Sequence, residues 1–499
     1  MIDKTVFPDQ TYKDTVLAPL FEGAKAHFVD AVRAINQAHL VMLVETGIVQ
    51  PKDAQRIASA LRDIDEQLDI DALEYTGEFE DYFFLVEAEL KSRLGPDLAG
   101  ALHTARSRND MDHTVFKIVL TQRVDALLTL SHKLAAALID TATREKSTLI
   151  VAYTHGQPAQ PSTFGHYLAA VIEVLLRDID RLQTAREALQ KCPMGAAAIT
   201  TTGFPIDRHR MAALLGFRTP LQNSYSCIAG VDYVTGLYSA MNLMFLHLGR
   251  VVQDFQFWSA FEVSQLYVPN SFVQISSIMP QKRNPVPIEH LRLLSSLTVG
   301  RCGAMVNIMH NTPFTDMNDS EGEIQQAGYA AFESGARVLT LLGAFIPALS
   351  INADAVQKNI DASCITVTEL ADTLVRVEGL SFRQAHEIAA ITSREVIAKN
   401  QPLGAGYNAF GQAFKSEVGR AASLSEADYK LAVSPENFVA VRDCFGGPAD
   451  APLSAALLGY HETLADMKTT AAENENYLVN TETARLVAFS ALEKFEGGV

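Results

Sequence analysis

The sequence predicts an all-α protein in three parts around a central bundle of long helices. Three observations carry this reading. Between Asp232 and Phe261, the residues Leu237, Met241, Met244, Leu248, Val251, Phe255 and Trp258 recur in alternating steps of four and three. That is an a/d seam held over about three heptads. Comparable helical stretches run over 112–146, 162–191, 287–310 and 321–347. No series of strands and no βαβ alternation interrupts them.

In chain order, residues 1–105 read as an N-terminal helical domain, with amphipathic segments at Phe21–Thr46 and Pro51–Leu68. Residues 106–362 form the central bundle. Ser162 is placed to cap its second helix, because a hydroxyl accepts from the free N–H groups of a first turn. In the 232–261 helix, Leu243, Phe245, Leu246, Val252 and Phe257 occupy faces outside the seam. A helix apolar on several faces needs neighbours all round, which points to a bundle interior and to contacts with other subunits. The connections 155–161, 192–207, 267–287 and 311–322 are polar and marked by Pro or Gly, and they gather at helix ends, where functional groups collect. Residues 363–499 read as a separate C-terminal helical domain, less apolar and broken at Gly404–Gly406 and Gly446–Pro452.

Composition narrows the function. Of 499 residues, 41 are Lys or Arg and 58 are Asp or Glu, a formal charge of −17, which argues against a nucleic-acid partner. The most apolar uncharged run, 233–249, includes Asn242 and His247 and falls short of the ~20 apolar residues a membrane span needs. The opening MIDKTVFPDQTYKD carries early charges and no apolar core, so no secretory leader is expected. Cys192, Cys227, Cys302, Cys364 and Cys444 are scattered without a CxxC pair. They read as buried thiols in a reducing cytoplasm rather than metal ligands, and no Gly-rich phosphate loop is present. No metal and no cofactor is expected.

Three short stretches carry chemistry. Ser276-Ser277-Ile278-Met279-Pro280-Gln281-Lys282-Arg283-Asn284-Pro285 sets two hydroxyls, two cations and an amide on a loop that its prolines keep from being helix. Lys282 and Arg283 suit a carboxylate. The second is His103-Thr104-Ala105-Arg106-Ser107-Arg108-Asn109-Asp110, and the third Tyr153-Thr154-His155-Gly156-Gln157-Pro158-Ala159-Gln160-Pro161. The first resembles the GSSxMPxKxN signature of the fumarase/aspartase superfamily. The other two resemble the argininosuccinate lyase versions of its remaining signature regions, as do Gly203–Arg208 and Leu214–Phe217. The resemblance runs from about residue 80 to 322, weaker before and thin after.

That resemblance implies a fumarase/aspartase-type three-domain fold and a carbon–nitrogen lyase that eliminates an amine from an N-substituted aspartate, releasing fumarate. By motif position, Ser276 is the base. Lys282 and Asn284 hold the carboxylate that gains charge, and Ser107, Arg108, Asn109, Thr154 and Gln157 bind the fumarate portion. His155, paired with Glu289, serves the leaving nitrogen, since a carboxylate partner orients an imidazole and raises its proton affinity. A homotetramer is implied, each site drawing its three motifs from three chains. The partners expected are small molecules: fumarate with an amine, or their adduct.

Four departures from argininosuccinate lyases matter. Ile275 stands where Gly precedes the paired serines, Phe83 where the EDxH stretch has His, and Ile35-Asn36 where GSxAH has Gly-Ser. The stretch that reads AYNRDLQED in the family becomes Thr315–Glu323 here, so that Tyr is replaced by Asp316, Arg by Asn318 and Gln by Glu321. The acidic residues also suit a helix start. If Asp316 faces the site, the amine pocket has exchanged a cation for an anion. A cationic amine, as in ethylenediamine-disuccinate lyase, then fits better than arginine. The alternatives are argininosuccinate lyase itself, giving arginine and fumarate, and a non-catalytic, crystallin-like homologue.

Overall fold

The computed structural model describes residues 7–79 and 81–494. The charged first residues of the chain and Glu80 of the EDxH-like stretch lie outside that range. Helices α1 (Ala18–His27), α2 (Val29–Glu45), α3 (Pro51–Gln67) and α4 (Tyr82–Leu94) build the N-terminal part. Gln50–Pro51 starts α3 with proline in the first turn, where its missing N–H costs nothing.

The bundle begins with α5 (Arg108–Arg144). After a hairpin of β1 (Leu149–Thr154) and β2 (Gln157–Thr163) come α6 (Phe164–Leu189) and α7 (Asp232–Trp258). A second small hairpin, β3 (Gln274–Ile275) with β4 (Arg283–Asn284), leads into α8 (Val286–Ile308) and then α9 (Gly322–Ala348). Packing closes a ring: α5 lies along α6, α6 along α7, α7 along α8, α8 along α9 and α9 along α5. The seam of α7 is the reason it sits inside. Leu237, Met241, Met244, Leu248, Phe255 and Trp258 are buried, as are Phe245 and Val252 from neighbouring faces. Leu243, Leu246 and Phe257 remain exposed, as do Leu293 and Leu297 on α8.

Several sequence expectations change. The segment at 153–161 is a hairpin, not a loop, and Ser162 belongs to its second strand. Thr163 caps α6, its hydroxyl accepting from the His166 N–H at 3.0 Å, while Ser162 Oγ bonds His166 Nδ1 at 2.9 Å. Of the five free thiols, Cys444 is exposed and the other four are buried. No described helix is long and apolar enough to cross a membrane.

The tail does not pack as one unit over 363–499. The helices α10 (Val367–Glu378), α11 (Phe382–Ala398) and α12 (Tyr407–Val418) share a core with Leu374, Ile388, Phe410, Phe414 and Tyr429. The last helix, α13 (Asp450–Glu493), leaves that core and runs back over α5, α6, α2 and α3. Its Leu453, Leu457, Leu464 and Phe489 join the main core, which also takes in Ile35, Leu40, Ile57 and Leu61 of the N-terminal part. The N-terminal helices therefore share the bundle's apolar interior instead of owning a separate one.

Candidate active site

The three motif stretches sit at helix and strand ends, each for a local reason. Ser107 caps α5 in a capping box: its Oγ accepts from the Asn109 N–H at 3.4 Å, and Asp110 Oδ1 accepts from the Ser107 N–H at 2.9 Å. Asp110 Oδ2 also accepts from the Gly195 and Ala197 N–H groups, at 2.8 and 2.9 Å. Burial pushes this carboxyl up to about 6 against the pull of those donors. Asp110 thus fastens the 195–197 loop beside the Ser107–Asn109 turn. The sequence reading assigned it no role, although the Ser-x-x-Asp spacing was visible.

Arg106 is not a site cation. It is buried and donates to Asn36 Oδ1 at 2.7 Å, with its guanidinium 5.6 Å from the Phe83 ring. Two family departures, Asn36 and Phe83, are thereby the two groups that hold it. Arg108 reaches Asp81 at 2.9 Å and Asp112 at 3.8 Å, over the Phe84 ring at 5.6 Å. With Glu321, the residues Asp81, Arg108 and Asp112 line a cavity of ≈100 Å³. Burial drives the Asp112 carboxyl well above its ordinary range; Arg108 opposes, and Asp81, Glu321 and Asp316 add to the rise.

Asp316 lies in the same acidic field. Burial raises its carboxyl and Arg108 lowers it. Its Oδ1 is 4.0 Å from Nε2 of His113, whose Nδ1 bonds the Tyr233 hydroxyl at 3.0 Å. Burial pushes His113 down to about 4, so the ring is neutral. Asp316 Oδ1 and His113 Nε2 are both buried without a hydrogen-bond partner among the described residues. His113 and Asp112 escaped the sequence reading, since nothing in their spacing separates them from ordinary helix residues; Asp81, in the EDxH-like stretch, was given no role and caps α4.

His155 and Gly156 form the two-residue tip joining β1 to β2, between the paired Thr154 and Gln157. Both tip residues have positive φ, 54° and 72°, the backbone of a type I′ turn. For histidine that conformation carries strain, the kind held at functional positions. All four of these residues except Gly156 were expected at the site, and all are exposed. His155 and His166 line a cavity with Arg442 and Pro448.

Ser276 leads out of β3 and Asn284 ends β4, so the serine loop is the tip of the second hairpin. Ser276 Oγ accepts from the Met279 N–H at 3.1 Å and the Ile278 N–H at 3.4 Å. Ile275 needs none of glycine's freedom, because it is paired as strand with Arg283. Arg283 is committed to the hairpin base, donating to Val268 O and Asn270 Oδ1 at 2.8 Å and standing 4.6 Å over Tyr267. Lys282, exposed, lines a further cavity with Arg283 and Tyr267. Glu289 is exposed in the first turn of α8. Within one chain, then, Arg108, His155 and Lys282 line three different cavities, and no ion pair joins His155 to Glu289 among the described residues. No group of three His, Cys, Asp or Glu is arranged for a metal among them either.

A family model described as Lyase matches residues 23–300, and one described as Argininosuccinate lyase C-terminal matches 364–440. Fold and motifs therefore define the fumarase/aspartase class of lyases. The chain is 59% identical to argininosuccinate lyase 2 of Agrobacterium fabrum, over 98% of this chain and 97% of the relative. It is 33% identical to argininosuccinate lyase 1 of Shouchella clausii over 92% of each. Its fold superposes on a variant of EDDS lyase with bound fumarate at TM-score 0.85 and 28% identity, covering 98% and 99% of the two chains. The chain belongs to the argininosuccinate lyase branch of the fumarase/aspartase superfamily and is a fumarate-releasing carbon–nitrogen lyase.

Proposed function

We propose that the enzyme eliminates a cationic amine, of aminoalkyl type, from an N-substituted aspartate. The carrying observation is Asp316: its carboxylate is turned to the start of α5, 4.0 Å from His113 Nε2, which has no hydrogen-bond partner among the described residues. A nitrogen about 2.8 Å from both atoms would subtend an angle of roughly 90°, close enough to tetrahedral for one ammonium to donate to both. Glu321, which acts on the same Asp112 carboxyl as Asp316, adds to the negative field. A carboxylate at this place attracts an ammonium and repels the α-carboxylate that arginine would bring.

Ser276 is the base in this proposal. A serine alkoxide needs donors, and two backbone N–H groups already point at its oxygen. It takes the proton from the carbon beside one carboxylate, and the electron pair spreads onto that carboxylate as the neighbouring C–N bond breaks. Lys282 and Asn284, on the same hairpin, hold the charge that develops. Ser107, Asn109, Thr154 and Gln157 position the fumarate part. Arg108, already met by Asp81 and Asp112, contributes less free charge than its motif suggests. His155 protonates the departing nitrogen, with Glu289 of another chain orienting it. A homotetramer is supported by the dispersal of the motifs over separate cavities and by the exposed Leu243, Leu246, Leu293 and Leu297 on α7 and α8.

The second reading, argininosuccinate lyase, is favoured by the 59% identity to a protein of that name. Comparing kcat/KM for argininosuccinate and for N-(2-aminoethyl)aspartate, by fumarate absorbance, decides between them. A preference for argininosuccinate that survives Asp316→Ala would refute the cationic-amine reading.

A further inference from the structure

A cavity of ≈170 Å³ opens between α2, α5, α6 and α13 and includes none of the residues assigned to the active site. On a chain of charge −17 it gathers three arginines: Arg186 from α6, Arg485 from α13, and Arg218 from the loop between α6 and α7. The Arg186 side chain is 4% exposed. It binds Asp125 through Nε and Nη2, while its buried Nη1 has no partner among the described residues. The Arg485 side chain is 12% exposed, and its carboxylate neighbour, Glu482 at 3.7 Å, is 64% exposed. The Arg218 guanidinium lies 3.6 Å over the Tyr477 ring, donates to Asn474 Oδ1 at 3.0 Å and makes no ion pair among the described residues. Stacking fixes the plane of its fork, which suits bidentate capture of a carboxylate.

The Arg186 guanidinium is buried and Arg485 is partly buried, whereas Arg218 and the lining carboxylates Glu482 and Asp30 face solvent, Asp30 at 93% exposure. Counting Asp125 behind Arg186, three cations meet three anions, so a ligand with large net charge gains little. A molecule with its anionic end inward and its cationic end at the mouth matches the gradient. Size narrows it further, since a cavity of about 150 Å³ accommodates a benzene-sized molecule. Nucleotides and peptides are too large.

We propose that this cavity binds a small α-amino acid, carboxylate first, with its ammonium at the Glu482–Asp30 rim. The test uses the intact enzyme with saturating fumarate, so that the motif site is occupied. Equilibrium dialysis with L-alanine, L-serine and L-threonine is run beside propionate and ethylamine. One amino acid per chain should bind saturably and fumarate should not displace it. Arg218→Gln should weaken binding by at least about tenfold, the loss of a charge-assisted hydrogen-bond pair, with kcat unchanged. Arg485→Gln should do the same; if that variant fails to fold, Arg218→Gln alone carries the test. The proposal falls if no amino acid binds below about 10 mM. It falls equally if propionate binds as tightly as alanine, if fumarate displaces the ligand, or if Arg218→Gln binds as well as wild type.

Discussion

Asp316→Asn isolates the charge on which the substrate assignment rests. An ammonium about 3 Å from this carboxylate would gain about 5 kcal/mol at an effective dielectric constant near 20. The Asp316 side chain is 26% exposed, and both ions lose hydration, so the net figure falls to the charge-assisted range of about 1.5–3 kcal/mol. That is roughly 10- to 150-fold in kcat/KM. The amide preserves shape and removes only the charge. The assay follows fumarate release from N-(2-aminoethyl)aspartate and from N-propylaspartate, a near-isostere without the second ammonium. The variant should lose the stated factor on the first and little on the second. The pH profile adds a sign. A cation needs Asp316 ionised, and burial raises its pKa above the carboxylate value. For the cationic substrate kcat/KM should therefore fall as pH drops through that raised pKa, and this limb should vanish in Asp316→Asn. Equal losses on both substrates, or an unchanged acid limb, would refute the reasoning.

Ser276→Ala should lower kcat by about 10²–10⁴-fold with no change in thermal unfolding, because Ser276 Oγ only accepts two loop N–H bonds; near wild-type turnover would remove serine as the base. Mixing inactive Ser276→Ala with inactive His155→Ala, after dissociation and reassembly, should restore measurable activity if sites combine motifs from different chains. Continued inactivity of verified hybrids would show that one chain supplies both. Asp110→Asn should alter the pH dependence of stability. With a folded pKa of about 6, above the unfolded carboxylate value, the stability this group contributes is present below about pH 4. It is lost as pH rises through 6, by roughly 3 kcal/mol. Denaturant titrations between pH 4 and 7 should show that component in wild type and not in the variant.

The bundle was legible because its helices each bury one continuous stripe, and a heptad seam such as Leu237–Trp258 announces itself. The hairpin at 149–163 was not, because its turn is His155-Gly156 rather than a common turn dipeptide, and prolines at 158 and 161 read as loop. Helix α13 was missed for another reason. It meets different partners along its length, so no single apolar stripe runs through it. At the site, motif residues were legible one stretch at a time. The environment of Arg108 was not, since Asp81 and Glu321 come from distant positions and only packing brings them to one cavity with Asp112, one turn along α5. Ile275, Phe83 and Asn36 looked like losses and are accounted for by strand pairing and by the burial of Arg106.

The course of α13 bears on how the chain is made. Gln55 of α3 donates to the Glu493 carbonyl at 2.9 Å, Arg62 pairs with the Glu493 carboxylate, and Arg485 donates to Gln37 of α2 at 3.3 Å. Helices α2 and α3 are thus closed by a helix some four hundred residues further along the chain. Domains with local contacts can fold as they emerge from the ribosome, N-terminal part first. Here α2 and α3 keep a face wet until α13 has been made. Truncation or stalling before residue 450 leaves that apolar face uncovered, for chaperones to guard.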